Sequence, residues 1–251
     1  MPSPEAKPTP PPTGGDWFRT THWSVVLNAA DTSGLAGQQA LEKLCAMYWY
    51  SLYAFVRRRG SSAEDAQDLT QAFFAWFLER KSVKLASRER GKFRSFLLTS
   101  LKHFLVNEWQ RGRARKRGGD VIQIPLDQLT VETRYRHEPS HDLTPDRIYE
   151  RSWAMAVLEQ VRGRLQEEYT IAGKGDRFAQ LEQFLPGQAA ELTYAEAARK
   201  LGVAEGTLKS DVHRLKQRYR ELLRAEIAHT VSSPDEINGE LRHLIEVIGG
   251  S

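Results

Sequence analysis

In YAEAARKLGVAEGTLKSDVHRLKQRY (Tyr194–Tyr219), the small, turn and apolar residues fall at the spacing of a helix-turn-helix. Ala197 and Ala198 are small enough to let two helices approach each other. Gly202 follows four residues later, where the turn needs a residue that tolerates a positive φ. The segment therefore predicts two short-linked helices of the kind that place a second helix in the major groove of DNA.

The second helix of this pair is predicted to have one apolar and one polar face. Its apolar stripe consists of Leu208, Val212, Leu215 and Tyr219. The side chains that project away from the stripe are Lys209, Ser210, His213, Arg214 and Gln217. Between Arg199 and Arg220 there are seven Lys or Arg and two acidic residues, a net charge of +5 that suits phosphate contacts. The alternative is an ordinary helical hairpin, which shares the spacing but has no need of the charge.

The two helices differ in how their first turns are capped. Thr193 and Glu196 have the spacing of a capping box, which satisfies backbone donors in both directions. Ala204 stands at the start of the second helix, where Ser, Thr or Asp would accept a backbone hydrogen bond, a deficit of about 1 kcal/mol.

Charge is segregated along the 251 residues, whose overall net charge is +4. Ser87–Gly118 carries ten basic and two acidic residues, a net charge of +8. Because this segment and the block Arg199–Arg220 are both basic, the rest of the chain has a net charge of −9. This pattern indicates two nucleic-acid faces and at least one acidic face for a protein partner. A hydrophobic content of 40% is enough to form a core.

Several classes of protein are disfavoured by what the sequence lacks. Its single cysteine, Cys45, excludes an intramolecular disulfide and a thiolate-only zinc site, and no apolar run approaches the ~20 residues of a membrane span. No H-E-x-x-H or Walker pattern occurs, and the seven histidines are scattered. We therefore expect a soluble cytoplasmic protein that is not an enzyme, with no cofactor, no bound metal and no membrane partner.

Helical periodicity dominates, which predicts an all-α fold of two helical domains joined by a flexible linker. Thr144 and Pro145 supply an N-cap and a first helical residue for the second domain. Its helices are predicted near Asp146–Tyr169, Asp176–Leu185, Thr193–Leu201 and Glu205–Val231. The predicted organisation is a disordered Pro-rich leader (1–16), a first helical domain (17–118), a linker (119–144), the helix-turn-helix domain (145–231) and a C-terminal amphipathic helix (232–251).

The first domain contains an acidic helix, SAEDAQDLTQAFFAWFLE (Ser62–Glu79), with Glu64, Asp65 and Asp68 on its opening turns. Acidic residues there stabilise a helix without any partner, so capping by Ser61 or Ser62 is one interpretation. A basic protein partner is the functional interpretation, because an acidic face repels DNA.

The first domain also contains an aromatic and basic helix, FRSFLLTSLKHFLVNEWQ (Phe93–Gln110). Its predicted core face is Phe93, Phe96, Leu97, Leu101, Phe104 and Leu105; its other face is Leu98, Lys102, His103, Asn107, Gln110 and Arg111. The helix runs into RGRARKR, where five of seven residues are cationic. Cations beside a stacking-competent face suit single-stranded DNA, whereas the alternative is a solvated tail.

These three pieces, in this order, resemble the extracytoplasmic-function (ECF) branch of bacterial sigma factors over about Trp17–Thr230. The segments SAEDAQDLTQAFF, FRSFLLTSLKHFLVNEWQRGRARKR and LTYAEAARKLGVAEGTLKSDVHRLKQRYRELL resemble the family's clamp-binding, minus-ten-binding and minus-thirty-five-reading helices. The resemblance implies a dissociable transcription-initiation subunit. Its implied partners are core RNA polymerase, through the β′ clamp and β flap, promoter DNA, and an anti-sigma factor or other regulator.

Site residues follow from the resemblance by position. The implied polymerase contacts are Glu64, Asp65, Asp68 and Gln71. The implied minus-ten contacts are Arg88, Arg90, Lys92, Arg94, Lys102, His103, Asn107, Arg111, Arg113 and Arg115. The implied minus-thirty-five contacts are Lys209, Ser210, His213, Arg214 and Gln217, with Arg214 favoured for guanine because its fork binds two acceptors at once.

The chain departs from the family pattern at Gln67 and Ala72, where acidic residues are frequent, at His103, where Asn is frequent, and at Asp211, where Arg is frequent. Two other functions remain as alternatives. A stand-alone helix-turn-helix transcription regulator would leave the acidic and aromatic helices unused, and a nuclease would need metal ligands or a general base that the sequence does not offer.

Overall fold

The computed structural model describes residues 35–79, 92–112, 128–136, 143–186, 188, 192–231 and 233–249. The side chains of residues 35–46, 78–79, 111–112 and 128–130 lie outside this description, and so does that of Cys45. Every regular element in these ranges is helical, which confirms the all-α prediction. None of the helices in these ranges has an apolar stretch that would cross a membrane.

The α-helices in these ranges are α1 (Leu35–Arg58), α2 (Ala63–Glu79), α3 (Phe93–Gly112), α4 (Gln128–Arg136), α5 (Pro145–Ile171), α6 (Gly175–Leu181), α7 (Tyr194–Leu201), α8 (Glu205–Ala228) and α9 (Ile237–Gly249). Short 3₁₀ turns follow α6 at Glu182–Phe184 and precede α9 at Pro234–Glu236. Thr144 caps α5 as predicted, since its hydroxyl accepts a hydrogen bond from the Arg147 amide at 3.3 Å.

A first core forms where α1, α2 and α3 meet the N-terminal half of α5. Its aromatic content is high because α2 and α3 turn a continuous stripe of rings inward: Phe73 stacks edge-on to Phe104 with 5.7 Å between ring centroids. The buried members from α5 are Tyr149, Trp153, Ala154 and Val157. Burial of such rings is the main source of stability here, at about 25 cal/mol per Å² of apolar surface.

A second core forms where the C-terminal half of α5 meets α6, α7 and α8. Its buried members include Val161 and Leu165 from α5, Phe178 from α6 and Leu215 from α8. Glu226 is also fully buried between α5 and α8, and its carboxylate pairs with Arg164 at 2.8 Å. A buried carboxylate needs such a partner because an unpaired charge is costly inside a protein.

The two cores share helix α5, whose 27 residues span about 40 Å. The predicted domain boundary at residue 145 therefore does not separate two independent cores. Ile227 and Val231, at and beyond the end of α8, and Leu244 of α9 also belong to the first core. The C-terminal segments consequently pack against the first core and α5.

The predicted linker contains a helix, α4, which the sequence analysis did not anticipate. Glu132 in α4 accepts hydrogen bonds from the Tyr53 hydroxyl at 2.5 Å and from Nη2 of Arg57 at 2.9 Å. The Arg134 guanidinium lies 3.8 Å from the centre of the Tyr50 ring. These contacts attach α4 to α1, so the prediction of an irregular linker is wrong for Gln128–Arg136.

Two carboxylates that join helices are expected to make stability depend on pH. A guanidinium hydrogen bond lowers the pKa of each below its usual value, from Arg57 to Glu132 and from Arg177 to Asp211. A carboxyl whose folded pKa is depressed stabilises the fold above its unfolded pKa and loses that contribution as the pH falls through the folded pKa. We expect the free energy of unfolding to decrease from about pH 5 downward.

Urea unfolding at a series of pH values measures this effect. Glu132→Gln should lower stability at neutral pH and show a shallower decrease in acid, because it has lost one of the titrating groups. Identical acid slopes for the variant and the parent protein would contradict the assignment.

Candidate nucleic-acid and polymerase interfaces

The turn between α7 and α8 forms as the sequence predicts. The Thr193 amide donates to the Glu196 carboxylate at 2.8 Å and the Glu196 amide donates to the Thr193 hydroxyl at 3.3 Å, which completes the capping box. Gly202 has φ +63°, in the left-handed region that ends a helix with glycine. Ala204 makes no side-chain cap for α8. Residues that are close in the sequence therefore set the start of α7 and the turn between the two helices.

The predicted DNA-reading face of α8 is exposed. Beneath it the stripe of Leu208, Val212, Leu215 and Tyr219 is buried, with at most 3% of any of these residues exposed. The side chains on the exposed face are Lys209, Ser210, His213, Arg214 and Gln217. The structure thus brings all five predicted residues to one surface of one helix.

Intramolecular partners hold part of this face. Lys209 pairs with Glu205 at 2.7 Å, and the Ser210 hydroxyl donates to the Gly206 carbonyl at 3.0 Å. These are contacts within one exposed helix, worth a few tenths of a kcal/mol, so DNA can replace them.

Asp211 connects the predicted DNA-reading face to helix α6. Its carboxylate pairs with Arg177 of α6 and with Arg214 of α8. The Arg177 hydrogen bond is the main cause of the lowered pKa of Asp211. Asp211, which departs from the family pattern, therefore orients Arg214 and attaches α6 to α8.

The acidic face of α2 lies on the surface. Glu64, Asp65 and Asp68 are exposed, and Gln71 is half-buried. The Ser62 hydroxyl accepts a hydrogen bond from the Asp65 amide at 3.0 Å, so Ser62 caps the helix as the structural interpretation expects. Of the three acidic residues, only Asp65 contacts the cap. Glu64 and Asp68 are exposed and take no part in it.

The exposed side of α3 carries part of the predicted minus-ten set. His103 and Asn107 are exposed, and Lys102 is half-buried with its ammonium paired to Asp146 of α5. Leu98 was expected on this polar side, but only 7% of it is exposed, so that expectation is wrong. Leu98 is instead one of the buried residues of the first core.

Two cations at the start of α3 pair with acidic residues of other helices. Arg94 is only 4% exposed, and its guanidinium pairs with Glu150 of α5 at 2.9 Å and with Glu240 of α9 at 3.0 Å. Lys92 also pairs with Glu240. An Arg in this conformation does not reach DNA, in contrast to the exposed position that the sequence analysis expected.

The remaining predicted minus-ten residues lie outside the description. These are the side chains of Arg88, Arg90, Arg111, Arg113 and Arg115. Among the described residues, no group of three or more His, Cys, Asp or Glu is arranged to hold a metal ion.

Comparison with curated proteins finds the ECF RNA polymerase sigma factor SigE of Mycolicibacterium smegmatis, which is 25% identical over 222 residues. The match covers 88% of this chain and 76% of the relative. It supports assigning the chain to the ECF sigma factors. No protein-family model and no solved structure matches the chain.

The assignment to ECF sigma factors agrees with the prediction of a protein that is not an enzyme. It rests on similarity along most of the chain.

Sequence reasoning missed two kinds of residue at these surfaces. Trp109 and Val106 of α3 are 64% and 49% exposed, beside Asn107. A position four residues after Leu105 would continue the core face, but Trp109 lies within the polar run from Asn107 to Arg111, and that run was the available sign of its exposure. The acidic partners Glu150 and Glu240 carried no such signal, since they lie far from Arg94 in the sequence.

Proposed function

We propose that this chain is an ECF sigma factor that binds core RNA polymerase, recognises minus-thirty-five and minus-ten promoter elements and promotes melting of the DNA. The single observation that carries the proposal is the exposed acidic face of α2, with Glu64 and Asp68 projecting to solvent in the same chain as an exposed, basic recognition helix. A protein that only reads duplex DNA has no use for a surface that repels it.

Recognition of the minus-thirty-five element is assigned to α8. Its exposed face enters the major groove, where Arg214 exchanges Asp211 for the O6 and N7 acceptors of a guanine. In this exchange Arg214 loses the negatively charged Asp211 carboxylate and gains two neutral acceptors on the base. The negative charge of the surrounding DNA phosphates attracts Arg214 and so favours the exchange. Lys209, Ser210, His213 and Gln217 supply the neighbouring base and backbone contacts.

Melting at the minus-ten element is assigned to α3. Unstacking a base costs a few kcal/mol, which contacts to the extruded base and its backbone must offset. The exposed Trp109 ring offers a stacking surface, worth about 1–3 kcal/mol per base. His103, Asn107 and Lys102 offer polar contacts along the same helix, and the arginines that follow it bind phosphates.

Polymerase binding is assigned to α2, with Glu64, Asp65, Asp68 and Gln71 contacting basic side chains of the β′ clamp. Contacts of the second domain with the β flap, and control by an anti-sigma factor, belong to the same proposal. Such a subunit works where the polymerase works, in the cytoplasm.

Co-elution separates this proposal from the stand-alone regulator. The purified protein is mixed with bacterial core RNA polymerase and passed over a size-exclusion column. A sigma factor co-elutes as a stoichiometric complex. No association, combined with tight, salt-sensitive binding of the protein alone to duplex DNA, would instead establish the stand-alone regulator.

Arg214→Ala tests the proposed base contact. We expect transcription from a cognate promoter to fall by roughly 5- to 150-fold, since a bidentate Arg–guanine contact discriminates by about 1–3 kcal/mol. Selection among promoter variants should show relaxed preference at one position of the upstream element.

The matched control is Arg220→Ala, which removes an exposed Arg from the same helix. It should weaken binding little and uniformly across sequences. Equal effects of the two changes, or an unchanged sequence preference in Arg214→Ala, would remove Arg214 from base recognition.

A further inference from the structure

A buried ion-pair network joins the C-terminal helix to the start of α3. Glu240 of α9 is 1% exposed, and its carboxylate pairs with Arg94 at 3.0 Å and with Lys92. Arg94 is sandwiched further by Glu150 at 2.9 Å and by the Trp153 ring, 4.4 Å from the guanidinium. One acidic side chain of α9 therefore occupies two of the cations predicted to bind minus-ten DNA.

Contacts outside this network hold α9 in place. Leu244 is 2% exposed and belongs to the first core. Nη1 of Arg151 in α5 donates to the Ile248 carbonyl near the end of α9 at 2.8 Å. His243 adds a contact to the network itself, with its Nε2 atom 3.1 Å from Glu150. The helix is thus attached at its middle by an apolar contact and near its end by a hydrogen bond from α5.

We propose that α9 is an intramolecular latch that covers the Lys92 and Arg94 part of the single-stranded DNA surface and competes with the strand for it. The proposal rests on the proposed function, which makes these cations DNA contacts. A phosphate that binds Arg94 would need the place that the Glu240 carboxylate occupies, 3.0 Å from Nη1 of Arg94, and a guanidinium that is 4% exposed is closed to a phosphate while α9 stays in place. Binding of the melted strand therefore requires α9 to leave.

The latch is specific to Glu240. Lys102 is also paired, with Asp146, but both side chains are about half exposed, at 42% and 54%, and a solvated pair of this kind opens at little cost. Glu240 is enclosed, so its displacement must be coupled to movement of the helix. Removing its charge leaves Arg94 with Glu150 as a partner, so the interior keeps a paired cation.

The test compares full-length Glu240→Gln with Glu246→Gln. Glu246 is exposed on the same helix. Both variants replace one Glu by Gln, so they change the net charge by the same amount. Binding to a short fluorescein-labelled single-stranded oligonucleotide of mixed sequence is followed by anisotropy at several salt concentrations. We expect Glu240→Gln to bind about tenfold more tightly and Glu246→Gln to bind like the parent protein.

The salt dependence of binding reports how many phosphate contacts the protein makes. Release of Lys92 and Arg94 adds two phosphate contacts, which should steepen the slope of log K against log salt by about 1.4. Arg151→Ala, which removes the hydrogen bond to Ile248 without touching these cations, should act in the same direction. Unchanged affinity and slope in both variants, with folding verified by circular dichroism, would overturn the latch.

Hydrogen exchange on the parent protein measures movement of α9 without any variant, and so also applies if the variants do not fold. The amides of α9 should exchange faster when the oligonucleotide saturates the protein, and unchanged protection would overturn the latch. Co-elution with core polymerase is measured in parallel. Absence of co-elution would contradict the proposed function, whereas intact co-elution with no effect of Glu240→Gln would contradict the latch alone.

Discussion

Replacing Trp153 by Ala is expected to lower the free energy of unfolding by about 3–5 kcal/mol. The side chain is 2% exposed and joins the N-terminal half of α5 to the first core. Its removal deletes a large apolar surface, leaves a cavity and takes away the ring beneath the Arg94 guanidinium. Urea unfolding measures the change, with the slope m showing whether the exposed surface also changes.

Trp109→Ala is the matched control, because the same side chain is deleted where it is 64% exposed. We expect it to cost less than about 1 kcal/mol, as surface substitutions generally do. If the two deletions have the same effect on stability, α5 is not packed in the first core in solution. Trp109→Ala should instead reduce binding to single-stranded DNA. Trp153→Ala should change this binding only to the extent that it unfolds the protein.

The double variant Glu64→Lys/Asp68→Lys is expected to weaken binding to core polymerase by at least about 100-fold, or roughly 3 kcal/mol. Both side chains are exposed on α2 and lie outside the Ser62 cap, so the fold tolerates the change. Like charges placed against a basic partner surface cost several kcal/mol. Binding is measured by titrating labelled protein into core polymerase.

The control for this variant is Glu167→Lys/Glu246→Lys, which makes the same change of net charge at exposed positions of α5 and α9. It should bind polymerase like the parent protein at physiological salt. If both double variants lose binding equally, the effect is long-range electrostatics, and α2 does not contact the polymerase through these residues.

Local signals in the sequence were sufficient for the helix-turn-helix. The Thr193–Glu196 capping box, the positive φ of Gly202 and the buried stripe under α8 are each determined by residues a few positions apart. The same holds for Thr144 and Pro145 at the start of α5. Helix starts and turns depend on neighbours in the chain, and neighbours are visible in a sequence.

Features that depend on distant residues were not predictable. Helix α4 is a short polar segment with little apolar period, and it is fixed by Tyr53 and Arg57, more than seventy residues away from Glu132. Periodicity also gave no sign that α5 is shared between two cores, because it is apolar along its whole length on one side.

The charge of Arg94 illustrates the same limit at the candidate site. A basic residue in a basic segment is most simply read as a DNA contact, and nothing near it in the sequence indicates burial. Its partners Glu150 and Glu240 come from α5 and α9. Only the tertiary arrangement reveals that this cation is paired in the free protein.

Transcription with purified core RNA polymerase, from a library of random promoter sequences, shows whether the protein directs initiation. We expect transcripts with defined start sites only when the protein is added, and templates enriched in two short elements upstream of those starts. Transcription that does not depend on the protein, or enriched templates with a single duplex element and no defined start, would contradict the proposed function.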